Sequence, residues 1–341
     1  MAAGGNRRLT KLSVAGRCQP RGPRHPAGCQ QDRAEPPVRP LPSKLLLMTV
    51  HRSSPRVVCF GEALWDFLPR GLFLGGAPLN VAYHLSRHGL DAVPVSAVGR
   101  DALGDEALRR VTGWRVETRG IARVARRPTG VVRVTLDAQG LPHFDIERGA
   151  AWDAIPAPRK GRRELGPAAI VSGSLALRSR ANRAVLEGLW RRWPDALRVC
   201  DLNLRPPYDR GPGVALALRR AQMLKLNDGE LARLVDRPHL RPKELASAAA
   251  QVAAKHGIER VCVTAGAFGA GLWWDGKWLW EDGRPVHVED TVGAGDAFLG
   301  ALLGRILTGV KVSAALAQAC RVAEFVAGQD GATPAYAADD F

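Results

Sequence analysis

From residue 56 onward, short apolar runs alternate with segments whose apolar residues recur at helical spacing. The runs have the length and β-branched content of strands buried on both faces, and the intervening segments have the period of amphipathic helices. Predicted strands are 56–60, 92–98, 168–173, 197–202, 221–226 and 260–266, and predicted helices are 80–88, 103–111, 180–193, 229–235, 242–256, 295–307 and 312–327. Strands that alternate with helices predict βαβ units around a parallel sheet, and therefore an α/β fold.

Two further segments alternate between apolar and polar residues and predict β-hairpins. Residues 130–148 form two such stretches around a turn at Ala138–Gly140, which predicts a small flap outside the central sheet. Residues 271–278, GLWWDGKW, place aromatic residues on both sides of Asp275–Gly276. This segment approaches the P-loop pattern GxxxxGK[ST], but Trp278 replaces the hydroxyl residue that binds Mg²⁺, so we expect no P-loop.

The formal net charge of +16 raises the question of a nucleic-acid or anionic-membrane partner. Residues 1–47 hold nine Lys/Arg and two Asp/Glu, a net charge of +7, which leaves +9 for the rest of the 341-residue chain. That remainder has no Lys/Arg-rich block with interleaved aromatic residues, so we expect no dedicated nucleic-acid function. No apolar run of about 18 residues is present, so we expect no membrane span.

The first 50 residues differ in composition from the rest. Residues 1–47 contain seven prolines, many Gly, Ala and Arg, and no sustained apolar period. Such a composition buries too little surface to offset the entropy of ordering. We expect residues 1–50 to be a disordered basic extension, or translation to begin at Met48, and a transit peptide is a third interpretation. Residues 51–341 would then be the folded domain.

The six cysteines form no CxxC pair. Four of them lie in predicted strands or helices, which indicates buried, reduced thiols and a cytoplasmic protein.

The segment EDTVGAGDAFLGALL, residues 289–303, places three small residues directly before an apolar helix. Gly293, Ala294 and Gly295 would leave the unpaired N–H groups of the helix start open to an anion. Asp296 beside them would repel a bound phosphate, but it suits a site where a hydroxyl attacking a phosphate must lose its proton. The alternative is that Asp296 is simply a first-turn acid that interacts well with the helix dipole. The three small residues and the apolar helix favour phosphoryl transfer.

Other polar side chains follow the ends of predicted strands, where open α/β sheets bind ligands. They are Asp66 in GEALWDFLP, Asn80 after Gly75–Gly76, Asp201, Asn203 and Arg205 in DLNLR, and Asn227 and Glu230 in KLNDGEL. Because the carboxyl ends of parallel strands share one edge, these side chains predict a single crevice. Asn80 and Asn227 could equally be helix caps.

Together these motifs resemble the PfkB, or ribokinase-like, family of carbohydrate kinases over about residues 56–334. The first pattern runs from Gly75 to Ala82 as GGAPLNVA, with Gly89 and Gly99 downstream, and the second runs from Asp290 to Leu303. GEALWDFLP, DLNLRP and KLNDGEL resemble the fructokinase branch most. The resemblance implies a three-layer sandwich with a central, mostly parallel sheet and a small β lid formed by about 66–75 and 117–149.

The same resemblance implies an ATP-dependent sugar kinase, fructokinase-like, that phosphorylates a primary hydroxyl of a ketohexose. It implies that Asp296 is the catalytic base and that Gly293, Ala294 and Gly295 form an anion hole around the γ-phosphate. The implied sugar-binding residues are Asp66, Gly75, Gly76, Asn80 and Arg205, and the implied ATP-binding residues are Asn227, Thr264, Gly266, Gly269, Gly293 and Gly295. Glu230 would place Mg²⁺ through water, and Asp290 with the Val292 carbonyl would hold a monovalent cation such as K⁺.

The chain also departs from the family pattern. Only RGLFL separates Pro69 from Gly75, so the lid should be small. Trp65 stands where an aliphatic residue is usual, and it would either narrow the sugar pocket or pack elsewhere. Ala267 and Phe268 replace a polar or basic residue near the nucleotide. Ribose, a keto-sugar acid or a nucleoside therefore remain alternative substrates, a catalytically inactive sugar-binding regulator is an alternative function, and a homodimer is an open expectation.

Overall fold

The computed structural model describes residues 54–68, 71–136, 142–158 and 166–341. The strands within these ranges are β1 (Arg56–Phe60), β2 (Leu64–Leu68), β3 (Gly71–Gly75), β4 (Asp91–Gly99), β5 (Ile121–Val124), β6 (Gly130–Leu136), β7 (Pro142–Ile146), β8 (Ala169–Gly173), β9 (Leu197–Asp201), β10 (Met223–Asn227), β11 (Arg260–Thr264), β12 (Gly269–Trp274) and β13 (Lys277–Asp282). The α-helices are α1 (Ala77–Arg87), α2 (Ala102–Gly113), α3 (Arg180–Arg192), α4 (Pro212–Arg220), α5 (Asp228–Leu234), α6 (Leu245–His256), α7 (Ala294–Leu307) and α8 (Val312–Ala327).

Nine strands form the central sheet in the order β13-β12-β11-β10-β9-β8-β1-β4-β5. The pairings from β11 to β5 are all parallel, and β12 and β13 add an antiparallel hairpin at one edge. The predicted parallel sheet and the hairpin around Asp275–Gly276 are therefore confirmed. Because crossover helices cover both faces of a parallel sheet, its strands are mainly apolar rather than alternating, with a few polar residues such as Lys225 in β10.

Two hydrophobic clusters cover the two faces of this sheet. In β1, Val58 and Phe60 join a cluster with α3 to α6, whereas Val57 and Cys59 join a cluster with α1, α2, α7 and α8. The predicted three-layer α/β architecture is confirmed by this arrangement. It places the carboxyl ends of the parallel strands along one edge, where the candidate site lies.

A second sheet has the order β3-β2-β6-β7. It contains the predicted hairpin of residues 130–148, because β6 and β7 pair antiparallel, while the turn predicted at Ala138–Gly140 lies outside the described residues. The predicted lid range 117–149 starts too early in the chain. Ile121–Val124 pairs parallel with β4 and belongs to the central sheet, because its side chains pack into both core clusters.

The helices differ from the prediction most clearly in three places. Helix α4 was not predicted, because Gly211-Pro212-Gly213 at its start resembles a loop. Helix α1 begins at Ala77, with Pro78 in its first turn, so the predicted start at Asn80 was late. The helix predicted from residue 242 begins at Leu245, after a 3₁₀ turn over Pro242–Glu244.

Within the described ranges, no helix combines the length and hydropathy that a bilayer crossing requires. Residues 1–53 lie outside the described residues, so the expectations for the N-terminal segment stay predictions.

Candidate active site

Helix α7 starts in a backbone conformation that excludes side chains. Gly293 has φ of +81°, and a Cβ there would lie 2.3 Å from the Cβ of Ala332. A Cβ at Gly295 would lie 2.7 Å from Nζ of Lys225. Close approach to Ala332 and the left-handed backbone therefore require glycine at Gly293, whereas a side chain at residue 295 would displace the Lys225 ammonium. The result is an unobstructed helix N-terminus, which is an anion-binding arrangement.

Asp296 lies in the first turn of this helix with only 8% of its surface exposed. Its Oδ2 accepts a hydrogen bond of 2.8 Å from Nδ2 of Asn80. Burial, reinforced by the negative charge of Asp201, raises the pKa of Asp296 to about 7, against the opposing effects of Lys225, Asn80 and Arg205. A carboxylate that titrates near neutral pH is well matched to accepting a proton from a hydroxyl.

Asn80 does not cap a helix. It lies inside the first turn of α1, and its side chain points across to Asp296 on α7. Its Oδ1 is buried and has no hydrogen-bond partner within the described residues. Asn80 therefore presents an unsatisfied acceptor beside the candidate base, as expected of a residue that binds a hydroxyl.

Asp66 is the second carboxyl of the site whose pKa is raised. It lies within β2 of the small sheet, not after the end of β1 as its place in the sequence suggested. Burial raises its pKa to about 7, and the charges of Glu62 and Asp290 add to this effect while Arg205 opposes it. The positive charge of Arg205 lowers the pKa of both Asp66 and Asp296, so the three predicted residues lie close enough to interact electrostatically.

Gly75 and Gly76 make room for this carboxyl and for the neighbouring backbone. A Cβ at Gly75 would lie 2.3 Å from Oδ2 of Asp66. Gly76 has φ of +112°, and a Cβ there would lie 2.3 Å from the carbonyl oxygen of Glu62. Gly75 thus lies directly beside Asp66, and Gly76 lies against the backbone of Glu62.

A buried ion pair beneath α7 was missed at the sequence level. Nζ of Lys225 lies 3.1 and 3.0 Å from the two carboxylate oxygens of Asp201, and both side chains are buried. Burial alone would lower the pKa of Lys225, but Asp201, Asp296 and Glu230 together raise it. The available signal was a lysine in the middle of an otherwise apolar strand, because a buried lysine requires a partner.

Glu62 is a second functional candidate that sequence reasoning passed over. It lies two residues after the end of β1, is buried, and its Oε2 has no hydrogen-bond partner within the described residues. Burial raises its pKa, although the backbone N–H of Ala77 and the charge of Arg205 act in the opposite direction. The signal was its place in GEALWD, immediately after a predicted strand.

Asn227 and Glu230 form a capping box at the start of α5. Asn227 Oδ1 accepts from the backbone N–H of Glu230 at 2.8 Å, and Glu230 Oε2 accepts from the backbone N–H of Asn227 at 2.9 Å. Oε1 of Glu230 accepts from the backbone N–H of Leu204 at 2.5 Å. The helix-cap interpretation of Asn227 is therefore correct, and Glu230 also ties the β9 loop to α5.

The predicted nucleotide-binding residues lie along the same edge. Thr264 ends β11 and is the register partner of Asn227 in β10. Gly266 and Gly269 flank the following turn with φ of +55° and +116°. Phe268 between them is 62% exposed. These positions form a strand-end edge with an exposed aromatic ring, which suits a ligand that combines polar and planar groups.

The oxygen donors of this edge fit a hard cation better than a transition metal. Oδ1 of Asp290 accepts from the backbone N–H of Val292 at 2.9 Å, which fixes the loop before α7. Within the described residues, no three His, Cys, Asp or Glu side chains are close enough to form a metal cage. Both oxygens of Glu230 already accept backbone hydrogen bonds, so this carboxylate fits contact with a magnesium ion through water.

Trp65 packs against helix α2. Its side chain is fully buried, and its Nε1 donates to the carbonyl oxygen of Leu103 at 3.0 Å. The guanidinium of Arg110 lies 4.7 Å above its ring. Of the two interpretations left open by the sequence, packing between the small sheet and α2 is the one observed.

Comparison with known proteins identifies similar carbohydrate kinases. A family model described as pfkB family carbohydrate kinase matches residues 69–338. The fructokinase of Salmonella typhimurium is 28% identical over 287 residues, which span 78% of this chain and 91% of that protein. The structure of a fructokinase with bound ATP from Xylella fastidiosa superimposes with a TM-score of 0.68 at 26% identity, over 82% of this chain and 94% of that one. A 2-dehydro-3-deoxygluconokinase from Thermotoga maritima shares the fold, with a TM-score of 0.73 at 20% identity over 84% and 98% of the two chains.

The family model covers most of the chain, and its range includes the Gly75–Gly76 and Gly293–Asp296 motifs that meet at this site. The protein therefore belongs to the pfkB family of carbohydrate kinases, and is a sugar phosphotransferase.

Proposed function

We propose that the protein is an ATP-dependent, fructokinase-like sugar kinase that transfers the γ-phosphate to a primary hydroxyl of a ketohexose. The observation that carries the proposal is the buried Asp296, whose pKa is raised to about 7, at the glycine-lined N-terminus of α7. The similarity to a fructokinase of Salmonella typhimurium and to an ATP-bound fructokinase structure supports the choice of nucleotide and sugar class.

In this proposal the hydroxyl oxygen of the sugar attacks the γ-phosphorus, and the bond between that phosphorus and the β–γ bridging oxygen breaks. Asp296 accepts the hydroxyl proton, while ADP leaves with the bond electrons. The N–H groups at Gly293, Ala294 and Gly295 stabilise charge on the transferred phosphoryl group. Lys225 lies directly behind Gly295 and adds positive charge to the same region.

The sugar would be held by Asp66, Gly75, Gly76 and Asn80. Carboxylate and amide oxygens accept hydrogen bonds from hydroxyl groups, and the bonds to a charged carboxylate are the stronger ones. Arg205 would reach the substrate or phosphate side, since its charge lowers the pKa of both Asp66 and Asp296.

The nucleotide would lie along Asn227, Thr264, Gly266 and Gly269. A magnesium ion, when bound, neutralises phosphate charge, and Glu230 would position it through water. Asp290 and the Val292 carbonyl would hold a monovalent cation. We further propose a cytoplasmic location, since Cys59, Cys200, Cys262 and Cys320 are all reduced and buried.

The test is sugar-dependent ADP release from Mg-ATP by the full chain. The panel contains fructose, other ketohexoses, ribose, a 2-keto-3-deoxy sugar acid and nucleosides. Strong turnover with one ketohexose, lost in Asp296→Asn, supports the proposal. Turnover with another compound replaces the substrate assignment. Sugar binding by calorimetry without any turnover overturns the kinase proposal in favour of a regulatory sugar-binding protein.

A further inference from the structure

Helices α1 and α7 run in the same direction and meet in three successive layers. Asn80 contacts Asp296, and one turn further a Cβ at Gly300 would lie 2.5 Å from the Cβ of His84. A further turn on, a Cβ at Gly304 would lie 2.8 Å from the Cβ of His88. Glycine occurs in α7 at the two positions where His84 and His88 of α1 approach the α7 backbone. The layer before them, formed by Asn80 and Asp296, belongs to the candidate active site.

The His84 imidazole is fully buried and uses both ring nitrogens. Its Nε2 lies 2.9 Å from the carbonyl oxygen of Ala332, and its Nδ1 lies 3.0 Å from the hydroxyl of Tyr336. A carbonyl only accepts, so Nε2 carries the proton, and the Tyr336 hydroxyl donates to Nδ1. Burial lowers the pKa of His84 to about 3, so the ring is neutral and this tautomer persists at neutral pH.

Ala332 connects this histidine to the start of α7. Its Cβ and Cα occupy the space where a Cβ at Gly293 would lie, at 2.3 and 2.5 Å. The adjacent Tyr83 hydroxyl donates to the carbonyl oxygen of Pro334 at 2.7 Å. Helix α1 therefore forms hydrogen bonds with Ala332, Pro334 and Tyr336 of this segment. Ala332 in turn packs against Gly293, where the proposed anion hole begins.

We propose that His84 is a positioning residue for phosphoryl transfer, which fixes Ala332–Tyr336 against Gly293 and so keeps the N–H groups of residues 293–295 aimed at the transferred phosphoryl group. This inference rests on the proposed function and deepens it. His84 does not contact substrate. It acts through the backbone of Ala332. Its contribution is to the stabilisation of the charge that develops on the phosphoryl group during transfer.

The experiment compares His84→Leu with His84→Gln in the full chain. The glutamine amide can donate to the Ala332 carbonyl oxygen as Nε2 does, whereas leucine keeps buried volume and removes both hydrogen bonds. We expect His84→Leu to lower kcat about 10- to 100-fold, in the range known for misplaced catalytic groups, with the sugar KM within about threefold. His84→Gln should recover most of kcat.

His88→Leu is the matched control. His88 is also buried against a glycine of α7, but neither of its ring nitrogens has a hydrogen-bond partner within the described residues. We expect wild-type kcat in this variant. Tyr336→Phe deletes only the hydroxyl that donates to Nδ1 of His84, and it should show a smaller loss of kcat than His84→Leu. This variant replaces His84→Leu in the comparison if the leucine variant fails to fold.

Amide hydrogen exchange gives a readout that does not depend on turnover. The N–H groups of Ala294 and Ala297 donate to the carbonyl oxygens of Thr291 and Gly293, so these two amides are protected from exchange. Their exchange should be at least about tenfold faster in His84→Leu than in His88→Leu, because opening this segment then requires less free energy. Equal exchange in the two variants, or a glutamine variant as impaired as the leucine variant, overturns the positioning role. If the wild type turns over no sugar, the proposed function fails, and exchange alone decides this inference.

Discussion

Burial raises the pKa of both Asp296 and Asp66, and the positive charge of Arg205 acts in the opposite direction at each of them. Glu62, Asp201 and Glu230 add three more buried acids around this region, and Lys225 pairs with Asp201. A buried charge without a partner is costly, so an array with more acids than bases favours partial protonation at neutral pH. The excess of buried acids over bases therefore suits the site to accepting a proton.

Asp296→Asn removes the proton acceptor and keeps the side-chain shape. We expect kcat to fall by about 10²- to 10⁴-fold, which is the usual contribution of a general base. The KM values for sugar and ATP should change little, as steady-state kinetics on the purified protein would show. Asp275→Asn is the control, because Asp275 lies in the β12–β13 turn with φ of +48°, which asparagine tolerates. Equal activity of the two variants would refute the assignment of Asp296.

The raised pKa of Asp296 sets the sign of the pH dependence. The ionised carboxylate is the base, and its pKa is about 7, so its active fraction increases as pH rises through 7. We expect kcat/KM for the sugar to rise about tenfold per pH unit below pH 7 and to level off near pH 8. Asp66 titrates in the same range and steepens the rise if it must also be ionised. A pH–rate profile that is flat between pH 5 and pH 8 would contradict this prediction.

At the scale of elements, the site depends on how the small sheet meets the central one. The β2–β3 hairpin carries Asp66 on one strand and ends in Gly75 on the other, directly before α1. The start of α1 lies against the carbonyl oxygen of Glu62 at the end of β1. The carboxyl of Asp66 is therefore positioned by a hairpin and by the helix that follows it.

Gly75→Ala tests this dependence. A Cβ at residue 75 would lie 2.3 Å from Oδ2 of Asp66, so the carboxyl must move. We expect the KM for the sugar to rise about tenfold or more, which corresponds to about 1.4 kcal/mol of lost binding, while the KM for ATP stays unchanged. Gly113→Ala serves as the control, because no atom lies within 4 Å of a Cβ there. An unchanged sugar KM in Gly75→Ala would remove Asp66 from the sugar site.

For the whole molecule, the charge is distributed unevenly along the chain. Residues 1–47 carry +7 of the total +16, yet every described contact of the candidate site lies between Glu62 and Tyr336. Residues 52–341 form one compact unit. We therefore predict that residues of this unit are sufficient for catalysis.

A chain that starts at Met48 should keep wild-type kcat and KM values within about twofold. Any retention of the full-length protein on DNA should weaken steeply with salt and disappear in the shortened chain, because exposed Lys and Arg would be its source. Kinetics and a salt-titrated DNA-binding assay on both proteins measure the two effects. Loss of sugar turnover on shortening would contradict the independence of the folded unit.

The sequence by itself determined the α/β class, most strands and helices, and the two glycine motifs with Asp296, Asn80 and Asp66. These features depend on local periodicity and on backbone positions where a side chain cannot fit, and both are visible in a linear pattern. The four-residue strand β5 has one buried, two half-buried and one exposed residue, so its pattern was too weak to be assigned to the central sheet.

Only the tertiary structure decided how distant residues pair. The contacts of Asp201 with Lys225, of Glu230 with Leu204, and of His84 with Ala332 and Tyr336 join elements far apart in the chain. A buried polar side chain shows in the sequence only that a partner must exist, and the packing of helices and strands selects which partner it is. Secondary structure and motif positions were thus set locally, whereas burial, pKa and the shape of the site were set by the assembled core.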